Sequence, residues 1–273
     1  MERLLSGARW LRERAGGDRV WAPLRPAYWT LLSLLTRRSG VGLRLADGAR
    51  YRLDARLFAW QPHEYEPGVV GTLLGELSPD GVFVDVGAHV GLLSLVAARR
   101  TTAGAGRVYA IEPSPANVEL LRRHIAMNGF DDRVVVVQAL AGDRPRASVG
   151  FTYRPGQCTA NSLAYDIGDG RRVDLPMITI DALVVERGLP APQVIKIDVE
   201  GYEHHVLQGA RSVLAAGAPV IICAIHPEPL KKLGTSAERV LSDMRAWGYE
   251  AFDLDGRAVE SAGFQDVVFR KVL

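Results

Sequence analysis

At 273 residues the chain is long enough for one large α/β domain with an extension, or for two domains at most. It is 48% hydrophobic and 23% charged, an ordinary globular composition and not that of a disordered chain. The formal net charge of +2 hides an asymmetry, because residues 1–50 hold ten Arg against four acidic residues and the remainder is net acidic.

That arginine-rich start reads either as a solvated helical arm or as a basic contact with a membrane, an anionic substrate or a partner. Residues 1–39 have helical character, with breaks expected at Gly16-Gly17-Asp18 and at Pro23 and Pro26. Trp10, Trp21 and Trp29 would anchor these segments on the main domain or on a partner subunit, which leaves a homo-oligomer open. The apolar run Ala27 to Leu35 is too short to span a bilayer, and no signal-peptide cleavage pattern follows it, so no transmembrane segment and a cytoplasmic location are expected. Cys158 and Cys223 carry no spacing motif and suggest a reducing compartment or small core residues.

Residues 41–57 read as a hairpin, with Val41, Leu43 and Leu45 alternating, a turn at Ala46-Asp47-Gly48, and Tyr51, Leu53 and Ala55 alternating back. The helical arm and this hairpin make up residues 1–57; the remainder, 58–273, forms the main domain. Pro67 suits the first turn of a helix running to Leu77, with Glu66 beside its positive end. Glu66 is then a helix-start acid or an acid facing a ligand.

From Val82 strand and helix alternate. Strands are expected at 82–86, 107–111, 133–138, 194–198 and 219–225, and helices near 90–99, 115–127, 181–187, 202–215 and 236–247. This rhythm predicts a doubly wound, mostly parallel sheet. Tyr249–Leu254 and Asp266–Lys271, joined without a crossover helix, predict a final antiparallel hairpin. Residues 142–178 interrupt the rhythm as a hairpin insertion, which would shape a substrate site if it lies at the strand ends where such sheets bind ligands.

The stretch Val82 to Gly91 is a buried strand, a glycine turn and a helix start, so backbone N–H groups would face a ligand there. Its spacing is Asp85-x-Gly87-x-x-x-Gly91, not the dinucleotide fingerprint. Ala88 and His89 complete the turn. A second strand ends in Glu112, placed to hydrogen-bond a ribose diol. Pro113 then stops the strand, and Ser114 is expected to cap the following helix. Gln138, Ala139 and Leu140 end the third strand, where a purine ring would be flanked. In Val194 to Gly201, period-two alternation puts Lys196 and Asp198 on one face, either as an ion pair or as site residues. Glu200 leaves that strand, and His226 closes the fifth strand on the same rim. Asp198, Glu200, His204, His226 and Glu228 lack the tight spacing of a metal site, so no metal is expected.

Together these residues resemble a class I S-adenosylmethionine-dependent methyltransferase, and specifically the FkbM family. The resemblance runs from about Tyr51 to Tyr249 and is strongest in Tyr65-Glu66-Pro67, Asp85 to Gly91, Tyr109 to Ser114, Lys196 to Glu203 and Val206 to Ala210. His89 departs from it, since the family often has Asn there. The resemblance implies a seven-stranded Rossmann-like sheet and S-adenosylmethionine as cofactor. Gly87 to Gly91 would wrap its methionine part, Glu112 with Pro113 and Ser114 its ribose, and Gln138 to Leu140 its adenine. Asp85, Glu66 and Asp198 complete the cofactor set.

The expected reaction is in-line transfer of a methyl group to a hydroxyl of a sugar or secondary metabolite. Asp198 and His226 are the candidate bases, Glu200 shapes or binds the acceptor, and Lys196 belongs to the same catalytic group. The partner is therefore a small-molecule or glycan acceptor, and no nucleic acid is expected. An RNA or DNA methyltransferase is the first alternative, thinly supported by Tyr153, Tyr165 and a few Arg. A non-catalytic cofactor-binding protein is the second.

Overall fold

The computed structural model describes residues 18–36, 39–60, 65–104, 106–154, 168, 170–261, 263 and 265–272, with the backbone alone for 18–26, 58–60 and 187. Contacts divide the chain into two compact units. One comprises residues 1–67 with Ala126–Asn128, and the other residues 68–125 and 129–273.

In the first unit, one helix spans Asp18–Leu35, followed by the antiparallel pair β1 (Val41–Arg44) and β2 (Arg50–Leu53) and a 3-10 helix, Ala55–Trp60. The breaks expected at Pro23 and Pro26 do not occur. Each proline deletes one N–H donor from the ladder, and the remaining rungs carry the helix through. Trp29 is buried against Leu32, Val41 and Ala55, and so anchors its helix on this unit. Trp10 lies outside the described residues, as does the side chain of Trp21.

The second unit is built on β3 (Val82–Val86), β4 (Arg107–Ile111), β5 (Val134–Val137), β9 (Val194–Ile197), β10 (Val220–Ile225), β11 (Tyr249–Phe252) and β12 (Gln265–Lys271). Between β5 and β9 lie the short β6 (Leu140–Ala141) and the antiparallel partners β7 (Arg146–Tyr153) and β8 (Arg171–Ile178), which form a separate three-stranded sheet. The main sheet has the order β11-β12-β10-β9-β3-β4-β5. Strands β3, β4, β5, β9 and β10 pair in parallel, and β12 runs antiparallel to both β10 and β11. This is the expected doubly wound sheet with its final antiparallel pair.

The strand order reverses between β3 and β9, so their carboxyl ends open the crevice where such sheets take ligands. Alternation decides what faces it. Val82, Val84 and Val86 join Ile195, Ile197, Ile221, Cys223 and Phe269 in the main core. The intervening positions put Asp85 beside Lys196 in register on the opposite face. Both faces are covered by helices, which is why the strands read as continuous apolar runs.

The helix expected at 202–215 is two helices, Glu203–Gln208 and Arg211–Gly217. Gly209 stands at the break, where the chain packs closely on a neighbour: a Cβ at Gly209 would sit 2.0 Å from the carbonyl oxygen of Gly142. A further helix, Pro227–Lys232, follows β10 where none was expected; Pro227 at its first turn costs no hydrogen bond. Gly209→Ala should therefore destabilise the second unit by about 1–3 kcal/mol. Calorimetry should show Tm lower by roughly 2–4 °C per kcal/mol, and an unchanged Tm would show that the break tolerates a side chain.

Candidate active site

The glycine turn after β3 is shaped by contacts on both sides. Gly87 has φ 83°, and a Cβ there would lie 1.8 Å from the carbonyl oxygen of Asp198, so only glycine lets the turn meet the end of β9. The Gly87 and Ala88 N–H groups donate to the Ile111 carbonyl at 2.9 and 3.0 Å. His89 has φ 55°, a conformation side chains rarely adopt, and its N–H points to the Glu112 carboxyl at 2.9 Å. Gly91, at φ 87°, starts the helix Leu92–Arg100 against Leu121.

Glu112 is 5% exposed and gathers three donors. Oε1 accepts from the Ser114 N–H at 2.9 Å and from Asn117 Nδ2 at 3.1 Å, and Oε2 accepts from His89. A carboxylate has about four acceptor positions, so one remains on Oε2. Ser114 is not the side-chain cap expected of it: its hydroxyl is buried with no hydrogen-bond partner among the described residues, while its N–H serves Glu112. Burial pushes the Glu112 carboxyl up to about 7, against the lowering effect of these donors. Asp85 is likewise buried and pushed up to about 6, again by burial, although Ser94 Oγ donates to it at 2.5 Å and Lys196 lies nearby.

The second group of residues stands at the ends of β9 and β10. Lys196 is 2% exposed, with Nζ 3.5 Å from Asp198 and 3.3 Å from Asp266. Asp198 is thus both the ion-pair partner of Lys196 and a half-buried group on the rim. Its other oxygen lies 3.7 Å from His226 Nε2. His226 Nδ1 is 2.8 Å from Glu203 Oε1. Burial alone would lower the His226 pKa, but the hydrogen bond and charge of Glu203, with the charges of Asp198 and Glu200, raise it above the usual imidazole value. Glu200 follows β9 with φ 49°.

Glu203 and Asp266 are the members of this cluster not singled out from sequence. Glu203 was visible only inside the Lys196–Glu203 motif, and Asp266 is 70 residues from the lysine it neutralises. Other candidates stand elsewhere. His204 pairs with Asp243 at 2.9 Å, and Glu228 pairs with Lys231 at 2.9 Å. Among the described residues no group of three or more His, Cys, Asp or Glu is placed to hold a metal ion. Gln138 is half-buried after β5, Ala139 is buried, and the Leu140 side chain packs with Phe151, Leu175 and Met177. Glu66, in the first unit, has φ 43°.

This strand order, with acids closing β3, β4 and β9 around a glycine turn, defines a Rossmann-like methyltransferase. The chain belongs to the FkbM methyltransferase family, whose FkbM domain matches residues 85–251. It is 27% identical over 195 residues to the hexuronic acid methyltransferase AglP of Haloferax volcanii, covering 70% of this chain and 77% of that protein. It is 25% identical over 177 residues to the 31-O-demethyl-FK506 methyltransferase FkbM of Streptomyces tacrolimicus, covering 55% and 67%. A crystal structure of methyltransferase FkbM from Methylobacillus flagellatus shares 23% identity, with a TM-score of 0.45, over 71% of this chain and 44% of that one. The chain thus spans less than half of that protein. Among the described residues no helix is long and apolar enough to cross a membrane.

The buried acids give the ligand-free protein a characteristic pH response. Below 4.5 the Glu112 carboxyl is protonated whether folded or unfolded, and above about 7 it is ionised in both. Between these values the folded state keeps a proton that the unfolded state has lost, so stability falls as pH rises. Asp85 adds the same sign between 3.8 and about 6. Denaturant unfolding of the wild type should show this decline, and Glu112→Gln should flatten its upper part. A Glu112→Gln profile parallel to the wild type would contradict the burial argument.

Proposed function

We propose that the protein is an S-adenosylmethionine-dependent O-methyltransferase acting on a hydroxyl of a sugar or of another small hydroxylated metabolite. The observation that carries this reading is His226. Its imidazole stands at the carboxyl edge of the sheet between two acids, with Nε2 toward Asp198 and a pKa raised above its ordinary value.

The residues suit the donor. Glu112 keeps one acceptor position that a ribose hydroxyl would fill, and the acids Asp85, Asp198 and Glu200 favour a cation near the turn. When bound, S-adenosylmethionine supplies an electrophilic methyl group on its sulfonium sulfur. Gly87 to Gly91 would approach its methionine part with backbone, Pro113 and Ser114 would flank the ribose beside Glu112, and Gln138 with the Ala139–Leu140 backbone would border adenine.

An alcohol is a weak nucleophile, and a base that takes its proton during attack contributes on the order of 10² to 10⁴-fold. His226 Nε2 is that base. Asp198 holds the hydroxyl in line, Lys196 keeps the Asp198 carboxylate from standing as an isolated charge, and Glu200 faces the acceptor. The hexuronic acid named for the AglP relative supports a sugar acceptor. A metabolite acceptor and a buried, unbridged Cys223 thiol fit a cytoplasmic enzyme.

The test is methyl transfer from labelled S-adenosylmethionine across uronic acid glycosides, polyketide alcohols and RNA, with and without chelator. Methylation of a hydroxyl in the first two groups is expected, and methylation of RNA alone would overturn the reading. Glu112→Ala should weaken the calorimetric affinity for S-adenosylhomocysteine. His226→Asn should keep that affinity and lose about 10²-fold or more in kcat. Full turnover in His226→Asn would remove it as the base.

A further inference from the structure

Glu203 is 0% exposed at the start of the helix Glu203–Gln208, an unusual place for a carboxylate without a cation beside it. Both of its hydrogen bonds fall on one oxygen. Oε1 takes the Gly201 N–H at 2.8 Å and faces His226 Nδ1 at 2.8 Å. Oε2 is buried with no hydrogen-bond partner among the described residues. A carboxyl kept only to tie down a loop would gain stability from filling that second oxygen, and an unfilled buried acceptor calls for another explanation.

The backbone around Glu203 is held to bring it there. Gly201 has φ 113°, and a Cβ at that position would sit 2.4 Å from Pro229 Cβ, so the loop after β9 lies directly on the helix that follows His226. The Gly201 bond to Oε1 locks this approach. The imidazole is therefore gripped on its Nδ1 side by a buried acid, while Nε2 is turned toward Asp198, whose nearer oxygen is 3.7 Å away.

We propose that Glu203 is the positioning residue for His226, accepting the Nδ1–H and so fixing the tautomer that leaves Nε2 without a proton on the acceptor side. This rests on the reading of His226 as base. In the transfer step the acceptor oxygen forms the new O–CH3 bond, the S–CH3 bond breaks with its electron pair left on a neutral thioether, and the hydroxyl proton passes to Nε2. The imidazolium then stands between Glu203 and Asp198, with Glu200 nearby, and Lys196 beside Asp198 offsets part of the negative charge of these acids. This is the geometry in which a buried acid both orients a histidine and stabilises its cation.

The test is the protonation of His226 in the full chain, read from long-range proton–nitrogen NMR correlations and assigned with His226→Asn. Above its pKa the wild type should show Nδ1 protonated and Nε2 bare. Glu203→Gln keeps the shape and an acceptor for Gly201, and it should lower the His226 pKa by at least about one unit and mix the two tautomers. A wild-type imidazole protonated on Nε2 would overturn the proposal, even if Glu203→Gln fails to fold. So would a folded Glu203→Gln with wild-type titration and tautomer. None of these readouts needs an acceptor, so an inactive transfer assay would count against the proposed function alone.

Discussion

A lysine ammonium placed in the middle of a sheet covered on both faces has no water to stabilise it. Lys196 is in that position, and its charge is met by Asp266 at 3.3 Å and Asp198 at 3.5 Å, with Asp85 beside it in register. Losing either acid would leave the buried ammonium less fully compensated. The arrangement therefore fixes more than one pair. It ties β12, which closes the sheet in the antiparallel sense, to the ends of β9 and β3. It also places a cation beside Asp198 on a rim where other acids gather.

Two sets of acids around one turn are used in opposite ways by their surroundings. Glu112 and Asp85 are buried so deeply that their carboxyls rise to about 7 and about 6. Each therefore holds its proton to a higher pH than an exposed carboxyl would. Around His226 the balance is reversed: acids raise an imidazole that burial alone would lower. Desolvation prevails at the first set, whereas at His226 the hydrogen bond to Glu203 and the neighbouring acids together outweigh it.

Much of this was legible in the chain, because strand period, glycine placement and strand-end acids are local signals. The strands of the main sheet, the shared face of Lys196 and Asp198, and the turn at Gly87 and Gly91 all follow from patterns a few residues long. What was not legible depends on contacts between distant segments. Asp266 completes the lysine pair across 70 residues, and nothing near it in sequence announces that role. The break at Gly209 in the helix after β9 lies against Gly142, a neighbour distant in sequence. Ser114 looks like a helix cap by type and position, yet among the described residues its hydroxyl makes no hydrogen bond and its own N–H is held by the Glu112 carboxyl. Pro23 and Pro26 look like helix breaks by local rules, and the helix Asp18–Leu35 continues through both.

The contact between Gly87 and the Asp198 carbonyl has a bearing on how members of this family could diverge. The turn after β3 and the end of β9 touch with no room for one added carbon, so neither can be remodelled without moving the other. Divergence in what the enzyme accepts is then expected to accumulate away from that seam. The β7–β8 strands belong to a separate sheet, so a change in their length or sequence would leave that seam intact.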